Sequence, residues 1–235
     1  MAASLNSFIR TFNNKLEEPV RQHLTNVYAC LAASTIAASV GASLHIYTEV
    51  FRAGLLSTIG ALACFVMLVA TADGDGKRVQ QRLGYLLGFS LLSGMGMGPL
   101  LEYAASVNPT IIVTALVGTS IIFASFSLCS IFSEEGRWIY MGGALMTLLN
   151  TLVLLTLANL FFGSQLIYKM HLYVGLALMC GFVLYDTQLI IEKRRMGNKD
   201  FVTHSLDLFI DLIGIFRRLV ILLTQKEEDN RKRRN

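Results

Sequence analysis

The apolar positions of this 235-residue chain fall into long runs separated by short polar links. Six runs, residues 27–47, 53–71, 84–105, 110–132, 138–160 and 172–191, come close to or exceed the about twenty residues that cross hydrocarbon about 30 Å thick. Their interiors are rich in Leu, Ile, Ala, Gly and Met, and the small residues let neighbouring backbones approach closely. Aromatic side chains stand near several ends (Tyr47 and Phe51, Trp138 and Tyr140, Tyr168 and Tyr173), where amphipathic rings favour the headgroup level. Links as short as 106–109 and 133–137 force successive helices to run antiparallel.

A seventh stretch, residues 205–224, reads SLDLFIDLIGIFRRLVILLT and carries Asp207, Asp211, Arg217 and Arg218. On an isolated helix each costs about 2.5–3.5 kcal/mol near the bilayer centre. Asp207, Asp211 and Arg218 share one face at spacings of four and seven, with Leu206, Phe209, Ile210 and Ile213 on the more apolar side. The predicted fold is all-α: a polytopic membrane helix bundle of six full spans plus a seventh charged helix, re-entrant or centrally packed. A surface amphipathic helix is the alternative for that segment. The domain reading is a cytosolic N-terminal segment 1–26, a membrane bundle 27–224 and a basic tail 225–235. Pro19 suits the start of a short interfacial helix carrying Arg21, His23 and Leu24.

Composition supports the membrane class. Apolar residues make up 54% and charged residues 15%, against roughly 25% charged in ordinary soluble chains. Arg10, Lys15 and Arg21, then Lys77, Arg78 and Arg82, then Arg137, then Lys193, Arg194, Arg195 and Lys199 all fall on one side of an alternating bundle. Only Arg52 and Lys169 fall on the other. Lys and Arg favour the cytosolic face, so the N-terminus is expected there. Lys226, Arg231, Lys232, Arg233 and Arg234 would be on that face only if the seventh segment failed to cross completely. On that ground the C-terminus is expected to be cytosolic, either touching anionic lipid or simply solvated. Cys30, Cys64, Cys129 and Cys180 sit in four different runs, and no His-x-x-x-His spacing occurs, so neither a redox framework nor a metalloenzyme is expected. There is no Gly-x-Ser-x-Gly elbow, and the scattered basic residues form no nucleic-acid face.

The candidate chemistry lies in the ionisable residues that the spans retain. Glu102 follows Gly94 and Gly98 at every fourth position, which puts it on a small-residue seam; it is either an inner-vestibule carboxylate or a headgroup-level cap. Asp186, in GFVLYDTQLIIEK, lies deep in the sixth run and should be paired, protonated or watered. Asp211 is its plausible partner, with Asp207 one turn away. Two close carboxylates would share a proton and titrate as a pair. The competing reading pairs Asp186 or Asp211 with Arg217 or Arg218. The acids, with Thr187, Gln188 and backbone oxygens, suit either a proton sensor or a transient, low-affinity calcium site at Asp186 and Asp211. Asp73-Gly74-Asp75-Gly76 lacks the rest of an EF-hand and reads as a turn. An intramembrane aspartyl hydrolase is disfavoured, and no cofactor is expected.

The segments HLTNVYACLA, GLLSTIGALA, QRLGYLLGF, GMGPLLEYAASVNPTIIVTALVGT, YMGGAL, LYVGLALMCGFVLYDTQLIIEK and HSLDLFIDLIGIFRRLVILL occur in the order found in the Bax inhibitor family. The chain resembles that family, also called the transmembrane Bax-inhibitor-motif family, over nearly its whole length, and above all its endoplasmic-reticulum branch. The resemblance implies suppression of programmed cell death, damping of endoplasmic-reticulum stress signalling and a pH-sensitive leak of calcium as the permeant ion. It implies contacts with membrane lipids, apoptosis regulators, stress sensors and other copies of the chain. It also implies that Asp186 and Asp211 are a proton-sharing gate pair, Asp207 an auxiliary acid, and Lys226 and Arg231–Arg234 a tail used in pH response and partner contacts. The bacterial pattern has a basic gate partner at the end of the second helix, whereas this chain reads LVATADGDGKR there, with Lys77 and Arg78 further along. The ending Lys232-Arg233-Arg234-Asn235 is similar to a dilysine retention signal with arginine in one required position. A non-conducting scaffold that restrains stress sensors or death-promoting proteins is the alternative function.

Overall fold

A computed structural model describes residues 16–48, 53–71 and 78–234. Arg10, Lys15, Phe51, Arg52, the 73–76 turn, Lys77 and Asn235 lie outside the described residues, as does the side chain of Arg234. The order is α1 (Glu18–Tyr47), α2 (Leu55–Ala70), α3 (Val79–Val107), α4 (Thr110–Phe132), a 3-10 turn (Ile139–Met141), α5 (Gly142–Phe162), α6 (Gln165–Arg195) and α7 (Phe201–Arg234). The described residues are therefore all-α. Five stretches are long and apolar enough to cross a membrane: Glu18–Tyr47, Val79–Val107, Thr110–Phe132, Ile139–Phe162 and Gln165–Arg195. The expected second span is the 16-residue α2, which at 1.5 Å per residue reaches about 24 Å, short of the hydrocarbon thickness. The six-plus-one pattern is thus met only in part.

Burial along α1 explains its partner. Val20, Leu24, Val27, Leu31, Ser34, Ala38, Gly41, Ala42 and His45 form one stripe at spacings of three and four. That stripe meets α3 through small residues. A Cβ on Gly41 would stand 1.9 Å from the Leu91 carbonyl oxygen, and one on Gly94 would stand 1.9 Å from that of Ala38. Only glycine permits so close a backbone approach, as the Gly94–Gly98 spacing foretells. Pro19 does stand in the first turn of α1, but the helix continues unbroken into the first span, with His23 and Leu24 buried. A separate interfacial helix is therefore corrected, and the boundary expected at residue 26 falls inside α1.

The largest departure is α7. It packs against α1, α3, α4 and α6, while α2 rests on α3 and α5 on α6. Ile215, Leu208, Phe209 and Val220 on it are almost wholly enclosed. The charged segment is thus the centrally packed helix, and its 34 residues run without a reversal, which corrects the re-entrant alternative. One end of the bundle gathers Pro19, Arg82, Glu135, Arg194, Arg195 and Asp200. The opposite end gathers Tyr103, Val107, Glu228 and Arg231. The start of α1 and the end of α7 therefore lie at opposite ends of the bundle, whereas the charge count expects residues 16–26 and 225–234 on one face. The tail is the continuation of α7, not a separate segment.

Candidate functional site

The interior carboxyls sit where α6 and α7 pack together as antiparallel neighbours joined by residues 196–200. Asp211 is only 4% exposed, while Asp186 and Asp207 are half-buried. Asp207 and Asp211 occupy successive turns of one face of α7. The Asp186 and Asp211 side chains come within hydrogen-bonding reach of each other. Asp211 Oδ2 is enclosed and has no donor partner among the described residues. Two ionised carboxylates offer only acceptors, so a hydrogen bond between them needs a proton on one. The sequence-derived pair is therefore adjacent in space, with Asp207 beside it.

The oxygens expected beside these acids are engaged elsewhere. Gln188 donates to Ser133 Oγ and to the Glu134 carbonyl, both at 2.7 Å, and its Oε1 accepts the Trp138 amide at 2.6 Å. It fastens α6 to the link after α4 and is not free to ligate an ion. Thr187 faces Ser127 at 3.4 Å, and Ser127 in turn bonds the Tyr28 hydroxyl. Among the described residues no group of three or more His, Cys, Asp or Glu side chains is arranged to hold a metal ion.

The remaining candidates lie apart from the pair. Glu102 is an exposed residue near the end of α3, with its carboxylate 3.7 Å from His45 Nε2 and 68% exposed. Glu102 is thus an exposed carboxylate facing the buried His45 ring. Arg218 donates from Nη1 to the Gly214 carbonyl at 3.1 Å, and neither Arg217 nor Arg218 forms an ion pair with an aspartate among the described residues. The arginine-pairing alternative is corrected accordingly: both arginines line a cavity shared with residues of α5 and α6, Arg217 at its exposed rim. Lys226, Arg231, Lys232 and Arg233 are exposed along the end of α7, and Arg231 also reaches the Val107 carbonyl.

Sequence reasoning missed a second polar cluster at the N-terminal end of α7. Arg82 is 2% exposed and Asp200 7%. Arg82 Nη1 bonds Asp200 Oδ1, and Nη2 donates to Thr203 Oγ1 at 2.5 Å. Asp200 caps α7 by accepting the Thr203 amide on Oδ1 at 3.1 Å and the Thr203 hydroxyl on Oδ2 at 2.8 Å. Burial alone would push the Asp200 carboxyl up, but the bonds from Arg82 and Thr203 outweigh it and hold the group below the ordinary carboxylate range. Beside it His23 Nε2 and His204 Nδ1 are 2.9 Å apart. A signal existed: Arg82, Leu86, Ser90, Gly94 and Gly98 continue one buried stripe at spacings of four.

These features define a polytopic α-helical membrane protein whose central helix carries ionisable side chains into the bundle. The model of the family described as "Bax1-I: Inhibitor of apoptosis-promoting Bax1" matches residues 20–228. The chain belongs to that family. It is 45% identical over 212 residues to "Bax inhibitor 1" of Homo sapiens, covering 90% of this chain and 89% of the relative. It is 43% identical over 231 residues to "Bax inhibitor 1" of Drosophila melanogaster, covering 97% and 94%. It is 41% identical over 235 residues to "Probable Bax inhibitor 1" of Paralichthys olivaceus, covering 97% and 99%. Membership, with five membrane-length apolar helices among the described residues, makes the chain a multi-pass membrane protein with a cell-death-modulating role.

Proposed function

We propose that the chain suppresses programmed cell death and endoplasmic-reticulum stress signalling as a proton-controlled calcium leak in the reticulum membrane. Family membership supports the cell-death role. The observation that carries the leak is the approach of Asp186 to Asp211 inside the bundle, with an enclosed Asp211 oxygen unpartnered among the described residues. A shared proton holds the two carboxyls together; its departure leaves two repelling anions and a negative site that a cation can occupy in passing. Asp207 adds negative charge one turn away. Purified full-length protein in pure lipid vesicles enclosing a calcium dye tests this. Wild-type flux is expected to change with pH, and Asp186→Asn and Asp211→Asn are each expected to abolish that dependence. Wild-type pH dependence in both variants would reject the gate.

A second reading, a non-conducting scaffold for stress sensors or death-promoting proteins, has one favouring observation: the exposed Lys226, Arg231, Lys232 and Arg233. Basic side chains at a membrane surface attract acidic lipid or protein surfaces. Neutralising Lys232 and Arg233 is expected to abolish protection while sparing vesicle flux if the scaffold reading is right. The arginine-rich end of the bundle with Arg82 and Arg195 is assigned to the cytosol, which puts the end of α7 on the luminal face. A cytosolic retention signal is then not available there. Glycosylation of an acceptor added beyond the tail reports the face directly.

A further inference from the structure

A cavity of about 360 Å³ opens where α5 and α7 flank α6; Thr156, Asn159, Tyr168, His171, Arg217 and Arg218 supply its polar lining. We infer that this cavity is a binding site for the phosphate of an anionic lipid headgroup, gripped by Arg217 and Arg218. α5 rests chiefly on α6, so the two arginines face a gap instead of a packed helix. No carboxylate lines the cavity, and none pairs with either guanidinium among the described residues. Arg217 is exposed on the cavity rim and Arg218 half-buried, and Arg218 Nε is enclosed without a hydrogen-bond partner among the described residues. Two adjacent cations without a counter-ion are costly inside a membrane protein, and a planar guanidinium fork matches phosphate oxygens.

Of the other polar groups, Asn159 is left with donors to spare. Asn159 Oδ1 accepts the Ser164 amide at 2.8 Å, which leaves its amide hydrogens free to face an anion. Thr156 gives its hydroxyl hydrogen to the Leu152 carbonyl at 2.8 Å and accepts from His171 Nδ1 at 3.1 Å, so the neutral His171 ring orients the wall of the cavity and offers an anion no further donor. Tyr168 and His171 lie one to two turns into α6, or about 5–9 Å from its start. The neighbouring turn presents Leu160, Phe161, Phe162 and Leu166, exposed by 77%, 89%, 77% and 69%. So apolar a tip is suited to lipid and not to water, and amphipathic Tyr beside it belongs at the headgroup level. A lipid, and not a soluble phosphate, is the occupant that this rim selects.

Native mass spectrometry of the full-length protein in detergent, with dioleoyl phosphatidylglycerol and dioleoyl phosphatidylcholine as probes, tests the site. Wild type is expected to retain one phosphatidylglycerol in preference to phosphatidylcholine. Arg217→Gln and Arg218→Gln are each expected to weaken retention about fivefold, the effect of about 1 kcal/mol per basic residue near an anionic headgroup. Arg217→Lys with Arg218→Lys keeps the charge and should retain more lipid than the double Gln variant, at unchanged melting temperature. Equal retention in wild type and the double Gln variant overturns the site. So does equal retention of the two lipids, or displacement of phosphatidylglycerol by glycerol phosphate alone, which would make the ligand a soluble anion.

Discussion

Asp200 and Asp211 stand three turns apart at the start and in the body of α7, and each is nearly sealed from solvent. Asp200 is surrounded by donors: Arg82 from α3, and the amide and hydroxyl of Thr203. Asp211 faces another acid, and one of its oxygens has no donor among the described residues. Burial of a charge is tolerated where its lone pairs are met, and a group left half-met is one whose state can change. The first cluster therefore serves as a fastening between α3 and α7. The second has the character of a switch.

The largest effect should come from cutting the fastening. Arg82→Ala leaves Asp200 buried without its cation, and removal of one partner of a buried pair costs about 3–5 kcal/mol. The expected outcome is a marked fall in the thermal melting temperature of the purified protein in detergent. A change within the experimental scatter would mean that the Arg82 cluster contributes nothing and that the contrast is false.

A smaller and more discriminating effect comes from the same isosteric change on both acids. Asp200→Asn weakens charge-assisted bonds and should cost about 1.5–3 kcal/mol. Asp211→Asn removes a repulsion and gives Asp186 an amide donor, so stability should stay level or rise by under about 1 kcal/mol. The measurement is the pair of melting temperatures, and the comparison requires a fall for Asp200→Asn and no fall for Asp211→Asn. If both fall alike, Asp211 is a structural acid like Asp200.

How much of this contrast was legible beforehand follows from where each residue sits in the pattern. Asp186 and Asp211 interrupt apolar runs, and carboxylates are so expensive there that each exception marks itself. The adjacent pair could thus be anticipated. Arg82 and Asp200 lie in polar stretches, where charge is ordinary; Arg82 serves the sequence reading only as an indicator of sidedness, and Asp200 does not enter it. Nothing local told that the α1–α3 seam and the α7 cap would enclose them. Helix existence was equally plain, and α4 begins and ends at residues 110 and 132 as expected. Ends were less so. Lys169 and His171 broke the apolar run of α6, yet the helix starts at Gln165, because backbone bonds continue through polar side chains that face outward or line a gap. The re-entrant reading of α7 failed because its charges were weighed against lipid, whereas α1, α3, α4 and α6 surround it.

The smallest expected effect is a null one, and it bears directly on what carries the pH response. A carboxyl held below its ordinary range contributes stability that is complete above its unfolded pKa, about 3.9, and is lost as pH falls through the lower folded value. Between pH 8 and pH 5 Asp200 therefore stays ionised, and its coupling to Arg82 should not vary. A double-mutant cycle of Arg82→Ala and Asp200→Asn, read from melting temperatures at pH 8, 6.5 and 5, measures that coupling. A constant value removes the Arg82 cluster from any explanation of flux that changes over this interval, leaving the acids that face each other across α6 and α7. A coupling that declines between pH 8 and pH 5 would show Asp200 gaining its proton in the same range. The fastening would then be a switch as well, and proton control of flux could not be allotted to Asp186 and Asp211 alone.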